Sequence, residues 1–511
     1  MNRADLSFAP NSVLDHCAHQ RRLLTNVSPP ADWRNPVPQG AYHLLVIGAG
    51  PAGLVAARTA ARLGAKVALI ERHHLGGDCL NTGCVPSKTL IRTARLYAEM
   101  RDAELYGATP PVEVRVDFGA AMQRVRRIRE RISRVDSVVR VVQDGVDLYF
   151  GSARFVASDA VKVGNTRLQF KKALIATGSR SIIPRIEGLA DTGFLTNESV
   201  FDLTVLPARL IVIGGGPIGC ELAQAFARFG ACTVIAHNEP LFLPKEERDA
   251  AQMVSEALAR DGVEIHLNSE AVKVRHEGER KFVELLSVGQ RTTVEADAIL
   301  TGIGREPCVR DLDLDTAGVV WDASRGVQVD DFLRTSNPRI YAAGDVCLEH
   351  KFTDTADASA RIAVRNALFM GRKRMSALTI PWCTYTDPEI AHVGLYVRQA
   401  NERGIPVRTF TVPMHMVDRA IADGEEDGFA KIHVRDGSDR ILGATVVARH
   451  AGEMINAVSL AMVAGIGLRT LADVVHAYPT QAEALKMAAD AYTRTRLTPF
   501  LACMARLWLR R

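Results

Sequence analysis

Two cysteines five residues apart, in Gly76-Gly77-Asp78-Cys79-Leu80-Asn81-Thr82-Gly83-Cys84-Val85-Pro86-Ser87-Lys88, carry the clearest chemical signal in the chain. A thiol acts as a nucleophile or ligand in its thiolate form, and a place at a helix beginning lowers its pKa. In a regular helix, Cα atoms five residues apart lie about 8–9 Å from each other, whereas a disulfide needs them within about 7 Å. Pairing of Cys79 with Cys84 therefore asks for a distorted turn, which Gly83 and Pro86 favour. Two buried structural thiols would leave the flanking glycines and Lys88 without a role. A zinc site would need a second ligand pair, and none with suitable spacing is visible. The expected chemistry is a dithiol with a local redox role.

Such a pair has to be positioned, and the residues around it read as strand–turn–helix units. The apolar run 44–47 predicts a buried parallel strand. It meets Gly48-Ala49-Gly50-Pro51-Ala52-Gly53, and a helical pattern follows through Leu63. A second strand, 67–70, ends at Glu71. In this order the residues fit a dinucleotide site. Gly48 permits the tight turn, Gly50 lets a pyrophosphate approach the backbone, Gly53 allows close helix–strand packing, and Glu71 can accept from ribose hydroxyls. The helix N-terminus adds oriented amides for the phosphate charge.

The same grammar recurs downstream. Strand 210–213 leads into Gly214-Gly215-Gly216-Pro217-Ile218-Gly219, helix 220–229 and strand 234–236. Two copies imply two dinucleotide-binding domains. The second copy ends on His237 and Asn238, where an NAD-preferring site places Asp or Glu. Without that acid nothing repels a 2′-phosphate, which gives a weak lean to NADPH. Glu239 next door and the lack of an adjacent arginine keep NADH open.

Composition excludes several classes. The chain has 511 residues, 47% apolar and 24% charged, enough for three or four ordinary globular domains. Its net charge of +5, from 63 bases and 58 acids, is too thin to argue for nucleic acid. No apolar run reaches the roughly 18 residues of a membrane span, and the first forty residues show no signal-type apolar stretch. Nine cysteines, scattered apart from Cys79 and Cys84, suit a reducing, cytoplasmic setting.

Elsewhere, residues 1–40 read as a polar extension in which Pro29, Pro30, Pro36 and Pro38 discourage regular structure. Val125, Ile128, Ile132, Val135, Val139 and Val142 predict one amphipathic helix, with Arg124, Arg127, Arg131 and Arg134 on its solvated faces. From residue 381 the pattern becomes α+β, with strands 429–434 and 442–448 and helices 452–464 and 481–493. The tail 498–511 is basic and amphipathic; packing against the body of the protein, or simple fraying, is expected of it rather than membrane contact.

With these motifs in order, the chain resembles the class I pyridine-nucleotide disulfide oxidoreductases from about residue 41 to 497. Ala176-Thr177-Gly178, Thr301-Gly302-Ile303-Gly304-Arg305 and Ile340-Tyr341-Ala342-Ala343-Gly344-Asp345 add to the likeness. The resemblance implies an α/β fold with two Rossmann-like domains and a C-terminal α+β dimerisation domain. The FAD domain would be discontinuous, 41–189 and 318–380, and the NAD(P) domain would occupy 190–317. A dimerisation domain would follow over 381–497.

It also implies roles. Gly48, Gly50, Gly53, Glu71, Lys88, Gly178 and Asp345 would hold FAD, and Gly214, Gly216, Gly219, His237 and Gly304 would hold NAD(P)H. Electrons would pass by way of flavin to a Cys79–Cys84 disulfide, Cys84 facing the flavin and Cys79 meeting substrate. Lys88 and Glu221 would pair nearby, and Tyr478 and Glu483 would reach the active site of a partner in a homodimer.

One position narrows the acceptor. Where disulfide-reducing relatives carry a histidine immediately before the proline of His476-Ala477-Tyr478-Pro479, this chain has Tyr478, with Glu483 kept five residues on. A phenol titrates near pH 10 against about 6.5 for imidazole, so about 0.1% is phenolate at pH 7. Tyrosine here is similar to mercuric reductases, whose soft metal ion needs thiolates rather than a proton relay. Cys79 and Cys84 would then be transient Hg(II) ligands, and no structural metal is expected. The chain departs from that pattern in having only Cys503 near its end and Phe194 in place of a second tyrosine. The alternatives are a dihydrolipoamide- or glutathione-type disulfide reductase and, of another class, a redox-sensing flavoprotein.

Overall fold

The computed structural model describes residues 13–109, 113–497 and 499–509. Strand Tyr42–Ile47, buried except at His43, pairs in parallel with Val67–Glu71 on one side and Thr166–Ile175 on the other. Val146–Phe150 extends the ladder past Val67–Glu71. Ile340–Ala342 joins it on Thr166–Ile175, so the chain returns to this sheet after a long excursion. Helix Pro51–Arg62 is the crossover between the first two strands, and its alanine-rich face is buried.

That excursion contains a second parallel sheet, ordered Val263–His266, Cys232–Ala236, Arg209–Ile213 and Ala298–Thr301. An antiparallel meander, Ser269–Glu277, Arg280–Ser287 and Gln290–Ala296, shares a core with it through Ile211, Ile299, Val274 and Val283. After residue 380 comes an antiparallel sheet, ordered Pro381–Thr384, Glu389–Gly394, Ile441–Ala448, Phe429–Arg435 and Val407–Pro413. Helices Ala451–Val463 and Glu483–Thr495 close its core.

Three expectations are corrected. The single helix expected through Val142 is two, Phe118–Ser133 and Val138–Gln143. Ser137 restarts the chain as an N-cap, accepting from the Arg140 amide. The buried face is also turned: Ile132, Val135, Val139 and Val142 are exposed, while Arg126, Arg129 and Glu130 are buried.

The reason lies in the second correction. Residues 1–40 are not wholly irregular, because helix Val13–Val27 lies against Phe118–Ser133. Glu130 receives His19 at 2.5 Å and Arg22 at 3.1 Å, and Asn26 donates to Ser133. Leu23 and Val27 are almost fully buried, each contributing about 1.5–3 kcal/mol of burial. The prolines act only after this helix. Third, helix Pro499–Leu509 does not pack against the body: Phe500, Met504, Leu507, Trp508 and Leu509 are all exposed.

Among the described residues no helix is long and apolar enough to cross a membrane.

Candidate active site

The redox segment folds as its glycines require. Gly76 and Gly77 adopt φ of +85° and +56°, and a Cβ on Gly77 would lie 2.6 Å from the Gly50 Cα. The loop carrying Cys79 is thereby pressed onto the first glycine turn. A short helix, Gly77–Asn81, holds Cys79; it breaks at Thr82 and Gly83, and Cys84 opens helix Cys84–Arg101. This is the distorted turn that bridging demands.

Cys79 and Cys84 are unbridged in this structure. Cys79 donates a hydrogen bond to Cys84, which holds the Cys84 thiol below its ordinary range. Thr353, with its hydroxyl 3.5 Å from the sulfur, and the Lys88 ammonium act in the same direction. Cys79 is pushed the opposite way, first by that shared proton and then by burial. The pair is thus one thiolate and one thiol, with the thiolate at the helix beginning.

Lys88 lies one helical turn beyond Cys84, and its Nζ is 2.7 Å from Glu221 Oε2. Glu221 is buried on helix Pro217–Phe229, so the pair ties the second glycine-turn helix to the cysteine helix. Tyr385 completes the group. Its amide donates to Glu221 Oε1 at 2.9 Å, and its ring lies 4.6 Å from Lys88 Nζ. The structure therefore brings Cys79, Cys84, Lys88 and Glu221 together.

The FAD candidates form a second group. Gly48 has φ of +100°, where a Cβ would overlap the Ala176 carbonyl oxygen, and a Cβ on Gly53 would overlap the Gly48 carbonyl oxygen. Gly50, at the helix N-cap, meets only Gly77 Cα at 3.7 Å, which leaves an open cradle at the amide end of Pro51–Arg62. Glu71 accepts from the Ala49 and His73 amides, each at 2.8 Å. Gly178 has φ of +69° and leads to Ser179, which donates to Asp345 at 2.6 Å. Burial raises the Asp345 pKa. This donor set, with an open glycine cradle and an acid beyond it, fits an adenine dinucleotide.

The second turn repeats the backbone with a different edge. Gly214 has φ of +113°, a Cβ on Gly219 would overlap the Gly214 carbonyl oxygen, and Gly216 faces open space. His237 is buried and accepts the Gly215 amide on Nδ1 at 3.3 Å. Burial lowers its pKa, so at neutral pH it is an uncharged imidazole. Gly304 has φ of +129° and accepts from the Ile182 amide.

Tyr478 and Glu483 lie apart from the dithiol within the chain. Tyr478 is 69% exposed and donates to Asp418 at 2.8 Å, which raises the phenol pKa further. Glu483 keeps a buried Oε2 without a partner among the described residues.

Three functional neighbours escaped the sequence reading. Arg305 pairs with Asp78 at 2.6 Å and donates to Ser179, joining the Thr301–Arg305 segment to the cysteine loop and the Asp345 group. Its place at the end of that motif was the available signal. Thr353 and Tyr385 carried none, because their partners are remote in sequence. A cleft of about 400 Å³ opens beside Cys79, lined also by Arg58, Arg62, Ile132, Thr353 and Arg361. It accounts for Ile132 being exposed.

Comparison with known proteins agrees with this geometry. Residues 42–367 match the pyridine nucleotide-disulphide oxidoreductases, and residues 380–489 match the dimerisation domain of that family. A mercuric reductase of Lysinibacillus sphaericus is 34% identical over 453 residues, covering 89% of this chain and 83% of its own. A dihydrolipoyl dehydrogenase of Chlamydia muridarum is 32% identical over 461 residues, 87% of this chain and 95% of its own. The Cu(II) complex of the HOCl-induced flavoprotein disulfide reductase RclA from Escherichia coli superposes with a TM-score of 0.79 at 29% identity. It covers 89% of this chain and 100% of that one. Two glycine turns, a thiolate–thiol pair between them and a matching dimerisation domain lead to one assignment: the chain belongs to the pyridine nucleotide-disulphide oxidoreductases, enzymes dependent on FAD and a pyridine nucleotide.

Proposed function

We propose that this chain passes electrons from NAD(P)H, with a lean to NADPH, through the Cys79–Cys84 pair to Hg(II) or a related soft metal ion. The observation that carries this reading is Tyr478. Its phenol is tied to Asp418 and held above the ordinary phenol range, so it is no proton carrier at neutral pH. A disulfide substrate needs such a carrier to protonate its leaving sulfur, and loss of a general acid–base group costs about 10²–10⁴ in rate. A soft ion needs thiolates as ligands, and Cys84 is already poised as one.

The residues divide the work as follows. Gly48, Gly50, Gly53, Glu71, Gly178 and Asp345 hold FAD, and Gly214, Gly216, Gly219, His237 and Gly304 hold the pyridine nucleotide. Bound FAD supplies two-electron transfer between nicotinamide and thiol. Lys88, fixed by Glu221, keeps a positive charge beside Cys84. Cys79, on the cleft, and the Cys84 thiolate would be the two ligands of the ion, the Cys79 proton leaving to solvent as its sulfur binds. Overall NAD(P)H loses two electrons and a proton while Hg(II) gains the two electrons. Tyr478 and Glu483 of one protomer face Cys79 and Cys84 of the partner subunit.

The cleft favours one second reading. With about 400 Å³ beside Cys79 it has room for a disulfide substrate, although Arg58, Arg62 and Arg361 at its wall are already paired with Asp144 and Asp357. Steady-state NADPH oxidation with Hg(II) plus excess thiol, set beside lipoamide and glutathione disulfide, separates the two. Hg(II)-dependent turnover that vanishes in Cys79→Ala, with bound flavin retained, is expected. Faster turnover with either disulfide favours the second reading. Slow turnover with all three and ready oxidation of the dithiol identifies a sensor instead.

A further inference from the structure

Helix Pro499–Leu509 begins ten residues past the end, at residue 489, of the match to the family's dimerisation domain. Phe500, Met504, Leu507 and Trp508 recur at spacings of four, three and one, which places them on one face. They are 71%, 51%, 57% and 74% exposed, so the described residues leave this face uncovered. The sequence from 491 to 511 also holds Arg494, Arg496, Arg506, Arg510 and Arg511 and no Asp or Glu.

Two properties together select the occupant. An apolar face with a tryptophan, bordered by cations alone, is the pattern of a helix lying in the plane of a lipid headgroup layer. The uniform positive charge complements anionic lipid. A second copy of the helix fits less well, because a two-fold contact would bring the same arginines together. A polyanion without an apolar phase would leave Phe500 and Trp508 in water. We propose that this helix seats the protein on an anionic bilayer surface without spanning it. The inference goes beyond the acceptor reading and does not depend on it.

Flotation of the full-length protein with vesicles tests it, using phosphatidylcholine alone and phosphatidylcholine with phosphatidylglycerol. Co-flotation is expected with the anionic vesicles only. It should fall about tenfold or more in Arg506→Glu, in Trp508→Glu and on raising salt. Because both side chains are exposed, both variants should keep the wild-type melting temperature, and Phe500→Glu gives an independent check of the apolar face. Absence of anionic-vesicle binding, or binding unchanged in Trp508→Glu, overturns the proposal. So does a Trp508→Glu protein that dissociates into monomers by light scattering, since the helix would then belong to a subunit contact.

Discussion

The two glycine turns share a backbone and differ at the edge. In both, the first glycine is left-handed, at φ of +100° for Gly48 and +113° for Gly214. In both, the last glycine lies on the carbonyl of the first; Gly216 borders open space, while Gly50 meets the cysteine loop at Gly77. At the end of the following strand one has Glu71, a carboxylate receiving two backbone amides. The other has His237, a neutral ring pressed on Gly215. The difference teaches that glycine spacing builds the open cradle at each helix N-terminus, whereas one side chain at the strand end sets the charge beside it. An ionised acid there accepts hydroxyl donors and repels added phosphate; a neutral imidazole does neither with charge.

The shared backbone is the part most easily broken. Gly53→Ala drives a methyl into the Gly48 carbonyl, so a destabilisation of about 3 kcal/mol and loss of bound flavin are expected in urea titrations followed by flavin absorbance. Gly219→Ala makes the equivalent overlap with Gly214; it should abolish NAD(P)H reduction of a flavin that stays bound. If both variants lose flavin alike, the turns do not serve separate dinucleotides.

The edges come next. Glu71→Ala removes the acceptor of the Ala49 and His73 amides and, on the proposed reading, of the ribose. Hydrogen bonds to a charged group are worth about 1.5–3 kcal/mol, so FAD affinity, read by fluorescence on reconstitution, should fall about 10–100-fold. The smallest effect belongs to His237→Glu. It should move the ratio of NADPH to NADH affinity about tenfold toward NADH, by charge repulsion worth about 1.4 kcal/mol, as measured by titration of the oxidised enzyme with NADP and NAD. An unchanged ratio would mean that the edge residue does not face the ribose.

The glycine turns, their strands and the cysteine segment were readable because their constraints are local. A left-handed φ, a close carbonyl or a helix broken at Gly83 is dictated by residues within a few positions. The strands 210–213 and 442–448 extended by one residue at their N-terminal ends, to Arg209–Ile213 and Ile441–Ala448. The helix around Val125 failed for the opposite reason. Its apolar spacing is genuine, but helix Val13–Val27 supplies His19 and Arg22 to Glu130 and turns a charged face inward. No period within residues 118–142 records that partner.

By itself the sequence determined the two dinucleotide cradles, the dithiol and the α+β change after residue 380, since sterics and periodicity act over short stretches of chain. Only the tertiary structure decided which remote groups tune the thiols. Lys88 meets Glu221 and Tyr385, Asp78 meets Arg305, and Thr353 reaches Cys84 across more than half the chain. Charge and hydrogen bonding act through space over a few ångströms, and only folding sets those separations.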